Sequence, residues 1–424
     1  MLIIENFLYI LLLKKLSGNG DEKVKKLLED YYPENRFQYI MFDIFLGMFM
    51  MAYFIFYQDG FGTIRLISTF GVLLFGCIIA IPTWQYVNQY TCWYAIFFIY
   101  GFVSLAWAKN STQITSITIT LIRVLFISYF LGKRIKREED IDIIFNLYLI
   151  TILVLDLYVG KKMVDLYALK GLINVRFGDN FAFNSNTISV GNIIAILIIV
   201  YKILNKRKSV IYFLLMFFYF VIALLTQSKK GIIGLIFGAV LYLYYKGKTS
   251  RKRIGRICVA IIFVLIAFQL LLNIPFLYET VGHRLTTFIG GANVIDISTR
   301  NREELMKFAI NLWINHPIFG VGLNNFSIFQ TVGGSGYYAH NNYLEILADL
   351  GIIGFMLYYW MPMKLALKKI DFQSDLQVIL KVITIVLLFF DLGSVTYQDI
   401  RVQLFFMLQY LLHFNGVLYK GEKK

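Results

Sequence analysis

The chain has 424 residues, 58% of them hydrophobic and 17% aromatic, and only 16% charged. Its mean hydropathy is +0.65, a balance that excludes an ordinary soluble domain, which would need far more polar surface at this length. The net charge of +15 would suit a nucleic-acid partner. The chain carries no nucleic-acid motif, Walker loop or dinucleotide fingerprint, so the charge needs another explanation.

The opening segment MLIIENFLYILLLKK is short, contains Glu5 and lacks a small-residue cleavage site. It reads as a surface or buried helix rather than a cleaved leader. Apolar windows long enough to cross a hydrocarbon layer of about 30 Å then predict twelve spans. They lie near 38–57, 64–82, 92–108, 114–132, 141–160, 186–204, 209–227, 231–246, 257–275, 341–361, 374–395 and 402–418. The predicted fold class is therefore an all-α polytopic membrane protein. It is organised as an N-terminal cytoplasmic segment 1–37, nine spans over 38–275, an external loop 276–340, and three further spans with a short cytoplasmic tail over 341–424.

An even number of spans puts both termini on one side, and the connections on that side, termini included, hold 25 of the 41 basic residues. KRIKR at 133–137 and KGKTSRKRIGR at 246–256 are the densest runs. By the positive-inside bias that side is cytoplasmic, so most of the positive charge is a topology signal. Thirteen basic residues fall on the opposite, external side, and Arg123, Lys202 and Lys381 fall within spans. Cys77, Cys92 and Cys258 lie in or beside apolar runs without metal-ligand spacing, which supports neither a disulfide framework nor a metal site.

Against the bias, TQSKKGIIG places Lys229 and Lys230 at an external turn between two spans. They read equally as a solvated turn or as an anion site. In the long external loop, Leu305, Phe308, Ala309 and Leu312 recur at helical spacing, which predicts an amphipathic surface helix over 301–315. Asn301 and Glu304 suit its capping box, Pro317 follows it, and Arg302 stands in its first turn, where the helix dipole favours an anion. Pairing of Arg302 with Glu303 is the alternative. PIFGVGLNNF at 317–326 reads as a glycine-rich loop.

The next segment, HNNYLEILADLGIIG at 340–354, opens on a titratable residue. If it forms one helix, Leu344, Leu347, Gly351 and Gly354 fall on the same face as His340. The glycines would then let a second helix approach and fix where the imidazole points. The plainer reading is an interfacial histidine that caps a span.

His340-Asn341, nine residues, then Gly351-Ile352-Ile353-Gly354 resembles the H-[NSQ]-x9-G-x-x-G motif of bacterial O-antigen ligases and the related Wzy-type O-antigen polymerases. HPIFGVGLNNF at 316–326, with Pro317, Gly320 and Gly322, is similar to a second family segment. Arg302, fifteen residues before Pro317, stands where the family has an arginine. SKKG at 228–231 resembles the family's SRG turn with Lys229 where the arginine stands and Lys230 beside it, which leaves open which lysine takes the arginine's part, and FAFNSNTISV at 181–190 resembles a family segment that opens a span.

The resemblance implies a GT-C-like integral-membrane glycosyltransferase in the bacterial cytoplasmic membrane with its active site facing outward. Donor and acceptor would be oligosaccharides on undecaprenyl diphosphate, with membrane lipids, a chain-length regulator and a flippase as further partners. It also implies His340 as catalytic base. Lys229, Lys230 and Arg302, with Arg176 and Arg284, would bind the diphosphate or glycan, without metal or cofactor. Asn341, Gly351 and Gly354 would be structural.

The motif does not separate a polymerase from a ligase that passes glycan to lipid A core. The bias toward Ile, Lys, Tyr, Phe and Asn suits low-GC organisms, some of which make capsules without lipopolysaccharide, and favours the polymerase. A transporter using His340, Asp156, Asp349 or Asp391 as a proton relay is a competing class, although no internal repeat is visible.

Overall fold

A computed structural model describes residues 36–54, 62–167, 176–178, 184–205, 209–246, 297–331 and 337–414, with positions 254, 255, 269 and 273. Among them every regular element is a helix: α1 (Arg36–Phe54), α2 (Gly62–Ala80), α3 (Gln89–Val103), α4 (Ser111–Arg134), α5 (Glu138–Tyr167), α6 (Ser185–Leu204), α7 (Val210–Leu225), α8 (Lys229–Lys246), α9 (Ile297–Asn315), the single turn α10 (Phe326–Phe329), α11 (Asn342–Leu367), α12 (Asp375–Phe390) and α13 (Ile400–Phe414). Eleven of the predicted spans coincide with described helices. The one near 257–275, except positions 269 and 273, lies outside the described residues, as do the opening segment, Cys258 and Arg284.

Six helices, α1, α2, α4, α5, α6 and α11, are long and apolar enough to cross a membrane, while α7 and α13 are apolar but shorter. A helix that is apolar all round is either buried or turned to lipid, and both kinds occur. At the centre, α12 is closed off from Val378 to Ile383 and α13 from Val402 to His413. At the periphery, α7 exposes Val210, Phe213, Leu214 and Phe217, and α2 exposes Leu66 and Phe70. Apolar surface on this scale is unsuited to water and marks a face for lipid. Around the centre α6 packs on α5, α7, α8 and α12, while α11 packs on α3, α9, α12 and α13.

Charged groups inside the bundle are satisfied at specific places. Arg134 donates to Asp43 from Nε (2.9 Å) and from a terminal nitrogen (2.7 Å), and to Asp140 (2.7 Å), with all three residues buried. Lys133 donates to the carbonyls of Thr83 and Tyr86. Two of the four basic residues of KRIKR are thus engaged inside the protein, Arg134 in a buried clamp between α1, α4 and α5 and Lys133 on the α2–α3 link. Of the in-span cations, Lys202 pairs with Asp142 at 3.1 Å. Lys381 donates to the carbonyls of Leu365, Ala366 and Lys368 at the C-terminus of α11, where the helix dipole favours a cation.

Three elements depart from the sequence-based expectation. Helix α9 begins at Ile297, so Asn301 lies inside it rather than capping it, and Arg302 is in its second turn. Helix α5 runs on to Tyr167 through what reads as the start of an external connection. Segment 340–354 is not one helix: His340 has φ +55° and precedes α11, and Gly351 breaks α11 with φ 63° and ψ −166°. The alignment of His340 above Gly351 and Gly354 on one helical stripe therefore does not hold.

Candidate functional site

The break at Gly351 organises the site. An unbroken helix would bond the amides of Ile352 and Ile353 to the carbonyls of Ala348 and Asp349. Instead, those amides donate to the carbonyls of Pro317 (2.9 Å) and Ile318 (3.4 Å) in the glycine-rich loop. The freed carbonyls accept from the amides of Val321 (3.0 Å) and Gly322 (2.7 Å) in the same loop. All four backbone groups orphaned by the break are thus re-paired, as burial requires.

Such a splice demands close backbone approach. A Cβ on Gly320 (φ +67°) would stand 2.3 Å from the Asp349 carbonyl, and one on Gly351 would stand 2.2 Å from the Ile318 carbonyl oxygen. What Gly351 admits is therefore the 317–322 loop rather than a second helix.

Asp349 ties the same loop further down. Its carboxylate accepts from the amides of Asn324 (2.8 Å) and Phe326 (2.7 Å), while Asn325 accepts from the Asn110 amide at 2.9 Å. Helix α9 sits on this platform through its apolar face, as the spacing predicts: Leu305, Ala309 and Leu312 pack with Val321, Phe326, Ala339 and Ala348. Arg302 is thereby held beside the platform, half-buried. Glu303 pairs with Lys307 at 2.9 Å instead of with Arg302.

The start of α11 is anchored by its two asparagines. Asn341 caps the helix by accepting from the Leu344 amide at 3.1 Å. Asn342, fully buried, accepts from the amides of Thr396 (2.8 Å) and Tyr397 (3.0 Å) and donates to the Tyr359 hydroxyl (2.7 Å). That hydroxyl donates onward to Asp391 at 2.9 Å, which also accepts from Thr396. His340 stands immediately before this anchor. Its ring lies 4.1 Å from that of Tyr338, and the Ala339 amide donates to buried Glu345.

On the facing element, the turn before α8 is bound to the start of α6. Ser228 donates to Asn186 at 2.8 Å, and the Gly231 amide donates to Ser228 at 3.2 Å. Gly231 is required because a Cβ there would collide with Ser189. Arg176 joins the turn by donating to the Thr226 carbonyl at 3.1 Å. Lys229 and Lys230 are the first residues of α8, and Lys230 donates to the Gly393 carbonyl and the Ser394 hydroxyl in the α12–α13 link.

These elements converge electrostatically. Burial pushes the His340 imidazole down to about 4, and the charges of Arg302 and then Lys230 push the same way. Residues 230, 302 and 340, separated in sequence by up to 110 positions, therefore share one field. The imidazole is neutral at physiological pH and makes no hydrogen bond to a described residue, so a ring nitrogen can accept a proton from a bound hydroxyl.

Residues 211–359 match the O-antigen ligase family. The match runs from α7 into α11 and takes in Lys229, Lys230, Arg302, Pro317, Gly320, Gly322, His340, Asn341, Gly351 and Gly354. Arg176 and the Asn186 segment lie before it. No curated protein matches the chain. The O-antigen ligase segment thus contains both halves of the splice and the three groups that share a field.

Sequence reasoning passed over Asn342, Glu345 and Tyr338 and weighed Asp349 and Asp391 as proton relays. Their signal was carboxylates and a second asparagine in an otherwise apolar helix. Asp349 and Asp391 prove to be acceptors for backbone and side-chain donors that fix the loop and the α12–α13 link.

Proposed function

We propose that the chain is a polysaccharide polymerase, a glycosyltransferase that moves a growing glycan from undecaprenyl diphosphate to a sugar hydroxyl of another lipid-linked repeat unit. It works on the outer face of the bacterial cytoplasmic membrane. The observation that carries this reading is a neutral imidazole in one field with Lys230 and Arg302. Glycosyl transfer from a lipid diphosphate asks for a base at the acceptor and fixed cations at the leaving group.

In the reaction the acceptor oxygen forms a bond to the anomeric carbon and its proton passes to a ring nitrogen of His340. The bond from that carbon to the diphosphate oxygen breaks, and the lipid diphosphate leaves with the electron pair. Lys230 takes the part of the family's arginine as a point charge rather than a planar fork. Burial and the charge of Arg302 push the Lys230 amine down to about 7; in its protonated form two of its three donors hold Gly393 and Ser394, which leaves one for phosphate.

The low basicity of His340 follows in part from the same cations. When a diphosphate pairs with Arg302 and Lys230 their hold on the imidazole weakens, so the base strengthens in the substrate complex. Lys229, Arg176 and Arg284 serve as outer contacts to diphosphate or glycan, and the chemistry proceeds without metal.

The ligase reading, transfer to lipid A core, is favoured by the description of the matched family. Purified protein given one defined lipid-linked repeat unit decides between the two. A ladder of products is expected for the polymerase; product that forms only when lipid A core is added would replace it with the ligase. Transfer that persists in detergent, where no gradient exists, rules out transport as the main activity.

A further inference from the structure

Among the described residues three that are not glycine have positive φ: Gln227 at 49°, Asn324 at 58° and His340 at 55°. They fall in the turn before α8, in the glycine-rich loop and at the entry to α11, the three segments that form the site. A residue with a Cβ occupies that region only where surrounding contacts hold it there, and such positions gather at functional sites. What holds His340 is therefore a question about the base.

Two carboxylates one turn apart on α11 act in parallel. Asp349 accepts from the amide of Asn324 itself at 2.8 Å. Glu345 accepts from the amide of Ala339, the residue before His340. Both carboxylates are buried, and among the described residues no cation pairs with Glu345. On the other side of the histidine the chain is tied to the α12–α13 link, where the Asn342 amide donates to the Asp391 carbonyl at 2.8 Å and Asn341 donates to the Leu392 carbonyl at 3.4 Å. His340 is thus one strained residue between two anchors. The other buried carboxylates nearby are committed elsewhere, Asp349 to the loop amides and Asp391 to Tyr359 and Thr396.

Glu345 also bears on the ring against which the imidazole packs. Burial raises the Tyr338 phenol, the charge of Arg302 opposes this, and that of Glu345 adds to it, while the Tyr338 ring lies 4.1 Å from that of His340. The backbone and the ring contact of the histidine thus lead to one side chain.

We infer that Glu345 is the positioning residue of the base: its carboxyl takes the Ala339 amide, holds His340 in the left-handed conformation and so seats the imidazole against Tyr338. It acts through the backbone and touches no reacting atom. The inference rests on the reading of His340 as base, and a probe of the ring itself keeps the two apart.

That probe is diethyl pyrocarbonate, which modifies only neutral imidazole. Its rate at His340 is read by mass spectrometry of the full-length protein in neutral detergent, from about pH 5 to about pH 8. The parent should give a level profile, since burial, Arg302 on α9 and Lys230 on α8 hold the ring near about 4. Glu345→Met, of similar length but without an acceptor, frees the ring, and a pKa returning to about 6.5 makes the rate rise about thirtyfold over that range. Loss of the negative charge alone would push the ring the other way and leave the profile level, so a rise reports release. Glu345→Gln keeps an acceptor oxygen and should stay level. Turnover should follow, with kcat of Glu345→Met down by about 10²-fold, the scale of a misplaced group, and KM for the lipid-linked repeat unit little changed because both cations remain. A level profile in Glu345→Met overturns the positioning role, as does a rise in Glu345→Gln, which decides alone if the methionine variant does not accumulate. Normal polymer from His340→Ala would instead overturn the base, a failure that the ring's own profile does not share.

Discussion

His340 is where residue chemistry is most exposed to test. Held near a pKa of about 4 by burial, Arg302 and Lys230, it is already the neutral base well below pH 6.5. The acid limb of kcat/KM, which reports the free enzyme, should therefore lie below the ordinary histidine range. Because bound diphosphate offsets the two cations, the acid limb of kcat should lie at higher pH than that of kcat/KM; coincident limbs would sink this coupling. His340→Ala should lower turnover by about 10²-fold to 10⁴-fold, the usual span for a general base, at unchanged protein level. Polymer of normal amount and length from that variant would remove His340 from the chemistry. The histidine and Arg302 were legible from sequence through their motif context. Which of Lys229 and Lys230 bears on the histidine was not, because the approach of Lys230 depends on how α8 meets the α12–α13 link.

For the elements, the exchange of hydrogen bonds between broken α11 and the 317–322 loop is the decisive feature. Gly351→Ala adds a Cβ at positive φ and 2.2 Å from a backbone oxygen, so neither rotamer change nor a small shift relieves it. We predict a loss of at least about 2 kcal/mol, read as a lower thermal midpoint and lower abundance. A variant as stable as the parent would mean the splice is not formed. Asp349→Ala should act on the same loop, since the amides of Asn324 and Phe326 lose their acceptor. Activity is expected to fall before abundance does, because the loop carries α9 and thus Arg302. The amphipathic face of α9 was legible from its spacing. Its start was not, since residues before Asn301 offer no stronger stop than the cap that Asn301 itself supplies. The break in α11 was likewise hidden, because a glycine inside an apolar run marks a close helix contact as readily as an interruption.

On the scale of the whole molecule, the buried clamp of Arg134 with Asp43 and Asp140 joins α1, α4 and α5 at the end opposite His340. Removing one partner of a buried ion group leaves uncompensated charge and costs about 3–5 kcal/mol. Arg134→Ala should therefore deplete the protein from the membrane, and Asp43→Asn should cost less because its amide still accepts a hydrogen bond. Equal abundance of Arg134→Ala and parent would contradict the clamp.

Taken alone, the sequence determined that the chain is helical and apolar, where its helices fall within a few residues, which face of α9 is buried, and which histidine and arginine to examine. These follow from periodicity, length and local motif, all of which are properties of neighbouring residues. Only the tertiary structure decided that Gly351 and Gly320 face each other across two backbones and that KRIKR is partly a buried clamp. Only it showed that Lys230, Arg302 and His340 share one field. Those outcomes depend on contacts between different elements of the chain, and nothing in local spacing encodes which other backbone will supply the missing hydrogen bonds.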